Sequence, residues 1–296
     1  MLKLILIVTL NVPNLADVEA AYTESIGYRT IDRGTINAEL ARVWATPALA
    51  QRPYLLMQPA SGEPVYLRFV QSPAVPGYAA MKTHGWNAIE MLAQDPDEMA
   101  RRLRAAPSRF RIVGEPRPLG PNSPIRAMQI VGPAEEVLYI TKPGGEAAQQ
   151  LGTASTFVDR PFIIILGGPD LPAMQRFYAE TFGIPAGAAI QARMTVLNKA
   201  HGLDIETTHP LAMARLSARF SLELDEYPPT ATERPRLSGE LPPGIAMVSF
   251  ETDSLDRLAD RLLAPAGKIA QAPYDGRRVG VLRGAAGELL ELVEAP

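Results

Sequence analysis

Residues 11–27 read NVPNLADVEAAYTESIG, and residues 167–183 read GGPDLPAMQRFYAETFG. The two stretches align without gaps and share five identical residues at a constant separation of 156, as between Pro13 and Pro169. Each stretch follows an apolar run, turns at Pro-Asn or Pro-Asp, and continues with apolar residues at helical spacing until a glycine. A repeat at a fixed separation indicates a repeated supersecondary unit, which here is a strand followed by a capped helix.

A second, weaker repeat starts at Gly85 and at Gly244, with a separation of 159 residues. Together with the first repeat, it places strand-to-helix starts near residues 4, 85, 161 and 244. The intervals leave room for one helix and three further short strands in each unit. The sequence therefore predicts four βαβββ modules.

We expect an α+β fold in which these four modules form two curved mixed sheets. The polar stretch after Pro143-Gly144-Gly145 resembles a linker, so we place a first pair of modules at 1–142, a linker at 143–159 and a second pair at 160–296. Helices are predicted near 14–26, 97–106, 171–182 and 254–263. Tyr22 and Tyr178 are predicted to lie on the inward faces of equivalent helices.

Composition excludes several classes of function. The 296 residues carry a formal net charge of -3 and no Lys/Arg block, which argues against a nucleic-acid partner. The chain has no cysteine, so thiol catalysis and thiolate metal sites are excluded. The apolar run at 4–10 is too short to cross a bilayer and is interpreted as a buried strand, which predicts a cytoplasmic protein without a membrane partner.

The repeated unit, an apolar strand, a Val-Pro-Asn-Leu turn and a helix with Tyr, Glu and Gly, resembles the module of the vicinal oxygen chelate superfamily. This superfamily includes glyoxalases, bleomycin-resistance proteins and extradiol dioxygenases, and the resemblance covers nearly the whole chain. It implies tandem glyoxalase-like domains, each cupped around a cleft. It also implies a divalent metal held by His, Gln or Glu on the first and last strands of the modules.

The residues at those positions depart from the family's pattern. In the first and third modules the first-strand positions fall on Ile7 and Ile163, which cannot ligate a metal. In the second and fourth modules they fall on residues 87–88 and 246–247, which are not convincing ligands. The last-strand positions fall on two phenols and two carboxylates: Tyr66, Tyr139, Glu223 and Glu291. The usual triad with histidine is missing.

Two groups of residues are the candidate catalytic side chains. Glu223 and Glu291 occupy related positions on apolar strands and could form an acid/base pair sharing one proton, although strand alternation would equally let them face solvent. Glu90 lies in an apolar strand near Trp86 and His84, and it is either a general base in the cleft or a solvent-facing residue.

Substrate binding is predicted for Tyr66, Tyr139, Trp86 and Arg68, through phenol or indole hydrogen bonds and an anion contact, with packing or surface roles as the alternatives.

The first functional hypothesis is a metal-independent lyase or isomerase that binds a small aromatic or carbonyl metabolite, with no cofactor. The second is a glyoxalase or ring-cleaving dioxygenase with a divalent metal at Glu223 and Glu291, for which a loop histidine, His209, could be a further donor. The third is a protein that binds a small molecule without turnover. The partner is a small molecule in each case, and a homodimer is compatible with all three.

Overall fold

The computed structural model describes residues 2–120, 122–185 and 187–296, and each unit folds as a strand, a helical segment and three strands. The first two units contain β1 (Leu2–Val12), β2 (Tyr28–Thr35), β3 (Pro53–Pro59), β4 (Tyr66–Gln71), β5 (Gly85–Ala93), β6 (Arg111–Pro118), β7 (Arg126–Val131) and β8 (Val137–Lys142). The last two units contain β9 (Val158–Gly168), β10 (Ile190–Arg193), β11 (Thr208–Arg215), β12 (Ser221–Glu226), β13 (Gly244–Thr252), β14 (Gly267–Lys268), β15 (Arg278–Arg283) and β16 (Leu289–Glu294).

The α-helices are α1 (Leu15–Ala21), α2 (Ala38–Val43), α3 (Pro96–Ala105), α4 (Gly145–Leu151), α5 (Leu171–Phe182) and α6 (Thr195–His201). Four of these six α-helices among the described residues, α1, α2, α3 and α5, begin at an Asn or Asp whose side chain caps them. Asn14 caps α1 and Asp170 caps α5 through their side-chain oxygens. A π-helical turn, Tyr22–Ile26, extends α1, and 3-10 turns occupy Pro47–Leu49 and Asp256–Arg261. The predicted helices near 14–26, 97–106 and 171–182 are confirmed, whereas the range 254–263 holds only the short 3-10 turn. Helix α4 lies in the predicted linker.

Two eight-stranded sheets form the protein, with the strand orders β14-β15-β16-β13-β1-β4-β3-β2 and β10-β11-β12-β9-β5-β8-β7-β6. The expected α+β fold with two curved mixed sheets is confirmed. The first sheet joins the first and fourth units through antiparallel β1 and β13, and the second joins the second and third units through antiparallel β5 and β9.

The sheets therefore do not follow the two halves of the chain, and the expectation that each half pairs its own modules is wrong. The chain leaves the first sheet after β4 and returns to it at β13. The two crossing segments meet at a bridge between Thr83 and Thr232. Because all four units present a similar first strand, the repeat alone does not specify which two first strands pair.

Strand alternation gives each sheet two different faces. One face of each sheet contributes to a shared core with α1, α3 and α5, where Tyr22 and Tyr178 are 0% exposed, as predicted for these two helical tyrosines. The opposite face of each sheet carries its own apolar cluster, and we call these faces the first cup and the second cup. Helix α2 packs over the first cup, and α6 packs over the second. No helix among the described residues is long and apolar enough to cross a membrane.

Candidate functional site

The structure distributes the predicted site residues over three places. The second cup receives Glu90, Tyr139 and Glu223. The first cup receives Tyr66, Arg68 and Glu291. The junction between the sheets receives His84 and Trp86. Only the second cup brings together two of the predicted acids, so it is the main candidate for proton-transfer chemistry.

Three carboxyl groups and a phenol gather on the second cup. Glu90 on β5 is paired with Tyr139 on β8 and with Ile163 on β9, and Glu223 on β12 is paired with the next cup-facing residue of β9, Ile165. Asp225 follows Glu223 by two residues and therefore shares its face. The carboxyls thus lie at neighbouring levels on both sides of the central strand β9.

The second cup is partly open to water. Glu90 is 7% exposed and Asp225 is 3% exposed, whereas Glu223 and Tyr139 are only partly buried. No lysine or arginine forms an ion pair with any of the three carboxyls within the described ranges 2–120, 122–185 and 187–296. Buried carboxyls without a cation favour the protonated form.

Burial has a direct consequence for their pKa values. It raises the pKa of Glu90 to about 8, and the negative charge of Glu223 adds to the rise. It also raises the pKa of Glu223 to about 7. Burial, followed by the charge and hydrogen bond of Glu223, raises the pKa of Asp225 well above its usual range. Near neutral pH the cluster therefore contains groups that can donate a proton and groups that can accept one, and the protonation of Glu223 and that of Asp225 depend on each other.

The rest of the second cup supplies donors and apolar walls. Burial raises the pKa of Tyr139 well above 10, so its phenol keeps its proton and can donate a hydrogen bond. Gln129 is paired with Tyr139 and is 7% exposed. Met213 faces Glu223 on the neighbouring strand. The cup therefore combines proton donors and acceptors with an apolar surface suited to a small organic molecule.

His209 is not available as a metal ligand in the second cup. His209 is 6% exposed on β11, and its Nε2 lies 2.7 Å from Oδ1 of Asn198 in α6. Asn198 in turn donates to the carbonyl oxygen of Thr207 at 2.8 Å. These bonds fix α6 against the sheet, so the loop-donor role considered for His209 is replaced by a role in holding the covering helix.

The first cup buries one carboxylate and one guanidinium, while Tyr66 is partly exposed. Glu291 is 0% exposed, and its Oε1 accepts from the Trp44 indole and the Tyr274 hydroxyl, both at 2.6 Å. Its other oxygen accepts from the hydroxyl of Ser249. Arg68 is 1% exposed, with its guanidinium carbon 5.2 Å from the centre of the Trp44 ring and 5.1 Å from that of Tyr274. Both Nη atoms of Arg68 are buried without a hydrogen-bond partner among the described residues, so Glu291 is held by hydrogen bonds while Arg68 is held by its aromatic neighbours.

Glu223 and Glu291 consequently do not face each other. Glu291 lies on β16 of the first sheet, and Glu223 lies on β12 of the second. They also do not occupy equivalent positions in the repeat, contrary to expectation. Glu291 is paired with Ser249, at the level of Ile7. Glu223 is paired with Ile165, whereas the residue paired with the first-strand position Ile163 is Ser221. The acid next to Glu223 on the same face of β12 is Asp225, which was not among the predicted site residues. The alternation in Leu222-Glu223-Leu224-Asp225 is the signal that could have identified it.

Of the two predicted site residues at the junction of the sheets, one is buried in the core and the other is partly exposed. Trp86 is 1% exposed, and its indole donates to the carbonyl oxygen of Leu289 at 2.8 Å, which ties the two sheets together. His84 is partly exposed, and burial lowers its pKa. Both residues line a cavity of about 410 Å³ that is separate from the second cup. Neither residue is hydrogen-bonded to Glu90, contrary to the expected acid, imidazole and indole group.

Comparison with solved structures identifies the architecture. Glyoxalase I from Zea mays superposes with a TM-score of 0.66 at 14% identity, over 98% of this chain and 92% of that chain. The fold is glyoxalase-like. A putative dioxygenase from Bacillus subtilis subsp. subtilis str. 168 gives a TM-score of 0.60 at 11% identity, over 100% of this chain and 86% of that chain. No protein-family model matches the sequence, and no curated protein matches it.

The metal implied by the glyoxalase-like fold does not fit the residues of either cup. The pairing register places Ile7, Tyr66, Ser249 and Glu291 at one level of the first cup, and Ile163, Glu90 and Tyr139 at one level of the second. The acid at the first-strand position of the second unit is thus Glu90, rather than residue 87 or 88. In the described part of the chain, no three His, Asp or Glu side chains are placed to hold one ion. The mismatch arises because isoleucine and serine occupy first-strand positions where a metal ligand would be needed. In addition, His209 is already hydrogen-bonded to Asn198.

Proposed function

We propose that the second cup is an acid/base site for a small carbonyl or aromatic metabolite, with isomerase or lyase chemistry and no resident metal. The observation that carries the proposal is the cluster of two buried carboxyls, Glu90 and Asp225, with the partly exposed Glu223 on the same cup, whose pKa values are raised toward or above neutrality. General acid/base catalysis works best with groups that titrate near the working pH. The glyoxalase-like fold supports a cup as the place for such a site.

The shared step in this proposal is enolisation. Glu223, the more accessible acid with a pKa of about 7, removes a proton from carbon next to a carbonyl group. Glu90, protonated below about pH 8, donates its proton to the carbonyl oxygen, and the Tyr139 phenol donates a hydrogen bond to the same oxygen. Returning a proton to a different carbon gives an isomer. Loss of a leaving group from the neighbouring carbon gives a lyase product.

Exchange of substrate C–H for C–D in deuterium oxide tests the step without knowledge of the final product. Wild-type protein is incubated with acetoin and phenylpyruvate, and exchange is followed by proton NMR against protein-free blanks. We expect catalysed exchange that is unchanged by EDTA. Glu223→Gln should lower it by at least ~10²-fold, the lower end of general acid/base contributions. Glu180→Gln, on the exposed side of α5, is the matched control and should keep the wild-type rate.

Two outcomes would change the assignment. Exchange abolished by EDTA and restored by a divalent cation would replace the acid/base proposal by a metal-dependent one. Saturable binding of a compound without exchange would favour sequestration, a function that the packing of α6 over the cup also supports, because Val196 and Leu197 share its apolar cluster.

A further inference from the structure

A cavity of about 410 Å³ lies where the two sheets meet, outside both cups. Its charged and titratable lining residues are His84, Glu233, Arg234, Arg236, Arg283 and Glu288. Its volume falls within the range of small-molecule sites. Its floor includes Trp86 and Ile245, the starts of β5 and β13, so it is formed by both sheets.

The three arginines at this cavity differ from many others on the surface. Arg104, Arg126 and Arg193 are each paired with an acidic side chain. Within the residues that the structure describes, Arg236 forms neither a hydrogen bond nor an ion pair, and Arg283 only donates to the carbonyl oxygen of Gly287 at 3.1 Å. Their guanidinium groups are therefore available to a ligand.

Arg234 forms the fixed wall of the cavity. Its guanidinium donates to the carbonyl oxygens of Trp86 at 2.6 Å and Ile245 at 2.8 Å, and to the hydroxyl of Thr83 at 3.0 Å. All of these acceptors are neutral, so they orient the guanidinium without cancelling its charge. Arg234 thus adds a fixed positive charge behind the two available arginines.

The acids at the cavity do not neutralise this charge by direct pairing. Glu288 is 3% exposed and its oxygens accept from the Tyr178 hydroxyl at 3.0 Å and the Ala286 amide at 2.8 Å. Glu233 is exposed and forms no ion pair in the described part of the chain. Arg236 and Arg283 line the same cavity. Burial lowers the pKa of Arg283, the positive charge of Arg236 lowers it further, and the negative charge of Glu288 opposes this. Like charges gathered at a cavity of an acidic protein favour an anion.

We propose that this cavity binds a small organic anion whose carboxylate or phosphate group lies between Arg236 and Arg283. Guanidinium forks match both oxyanions with paired hydrogen bonds. Pro169, Pro242 and Ala285 also line the cavity and are at least partly exposed, so they can supply apolar contacts for the body of the molecule. The site is independent of the acid/base role proposed for the second cup.

The test is isothermal titration calorimetry of the full chain at low ionic strength, with inorganic phosphate and malonate as separate probes. We expect saturable binding of at least one probe at one site per chain. Tighter binding of phosphate would assign phosphate monoesters as the ligand class, and tighter binding of malonate would assign carboxylates. The double variant R236Q/R283Q should bind at least about 10-fold more weakly, the cost of one lost charge-assisted hydrogen bond.

The matched control is R176Q/R257Q, which removes two exposed arginines outside the cavity and changes the net charge equally. It should keep the wild-type affinity. The variant R283K keeps the charge but loses the fork, so it should bind with an affinity between those of the wild type and the double variant. Absence of saturable binding of both probes, or an equal loss in R176Q/R257Q, would overturn the proposal. Equal melting temperatures of the variants separate a loss of binding from a loss of folding.

Discussion

The hydroxyl of Tyr22 donates to Oε1 of Glu136 at 2.6 Å and joins the first unit to the second. The equivalent tyrosine of the third unit, Tyr178, donates to Glu288 in the fourth at 3.0 Å. Each bond links a helix that packs on one sheet to a hairpin of the other sheet, and both tyrosines are 0% exposed. Equivalent positions of the sequence repeat thus form two tyrosine–glutamate hydrogen bonds, each of which connects the two sheets.

These bonds predict a stability cost for removing one hydroxyl. Tyr22→Phe removes the hydroxyl donor to Oε1 of the buried Glu136, which keeps only the Ala134 amide at Oε2, and should lower the free energy of unfolding by about 1–3 kcal/mol. Tyr178→Phe should behave in the same way because its environment is equivalent. Urea denaturation monitored by circular dichroism measures both. A change below the error of the fit in both variants would mean that the bonds contribute no net stability.

A second prediction concerns pH. Burial raises the pKa of Glu136 and of Glu288 to about 7 from the ordinary value of 4.5. Between these two values the unfolded chain has lost protons that the folded protein retains, so the unfolded state gains stability as the pH rises. The melting temperature should therefore fall from about pH 5 to about pH 7 on account of these groups. The E136Q/E288Q variant should show a shallower fall, and an unchanged slope would contradict the assignment.

A third prediction is the pH profile of the exchange reaction in the second cup. The rate should rise through about pH 7 as Glu223 loses its proton, and fall above about pH 8 as Glu90 loses its proton. The two limbs should give a narrow maximum between these values. Glu90→Gln should remove the alkaline limb and lower the maximum rate. A profile that continues to rise above pH 9 would exclude Glu90 as the proton donor.

A fourth prediction concerns the contribution of Glu291 to the stability of the first cup. Glu291→Gln keeps the shape of the side chain but removes the negative charge beside the buried guanidinium of Arg68. Leaving such a charge uncompensated costs on the order of 3 kcal/mol. We therefore expect a clear drop in melting temperature by differential scanning calorimetry. A melting temperature equal to that of the wild type would mean that Glu291 is not required for packing of the first cup.

Local structure could be predicted from the sequence because it depends on neighbouring residues. The Asn14 and Asp170 caps and the terminal glycines, Gly27 at φ 81° and Gly183 at φ 67°, delimit equivalent helices in the repeat. The burial of both helical tyrosines followed from the same spacing. These features do not depend on which sheet the unit joins.

The contents of the cups could be predicted only in part, because they depend on pairings between distant segments. Glu90, Tyr139 and Glu223 were identified, but Glu291 accepts from Trp44, which lies 247 residues away. No local pattern in the sequence connects these two residues. The pairing of unlike units in one sheet separates Glu223 from Glu291, and the repeat is equally compatible with either pairing.

We propose that proton transfer occurs in the second cup, with Glu223, and not in the first, with Glu291. Deuterium exchange into a responsive carbonyl compound should be compared for wild type, Glu223→Gln and Glu291→Gln, each kept below its melting temperature. We expect a loss of at least ~10²-fold for Glu223→Gln and a rate close to wild type for the folded Glu291→Gln variant. The reverse order, or full exchange in both variants, would exclude Glu223 as the base.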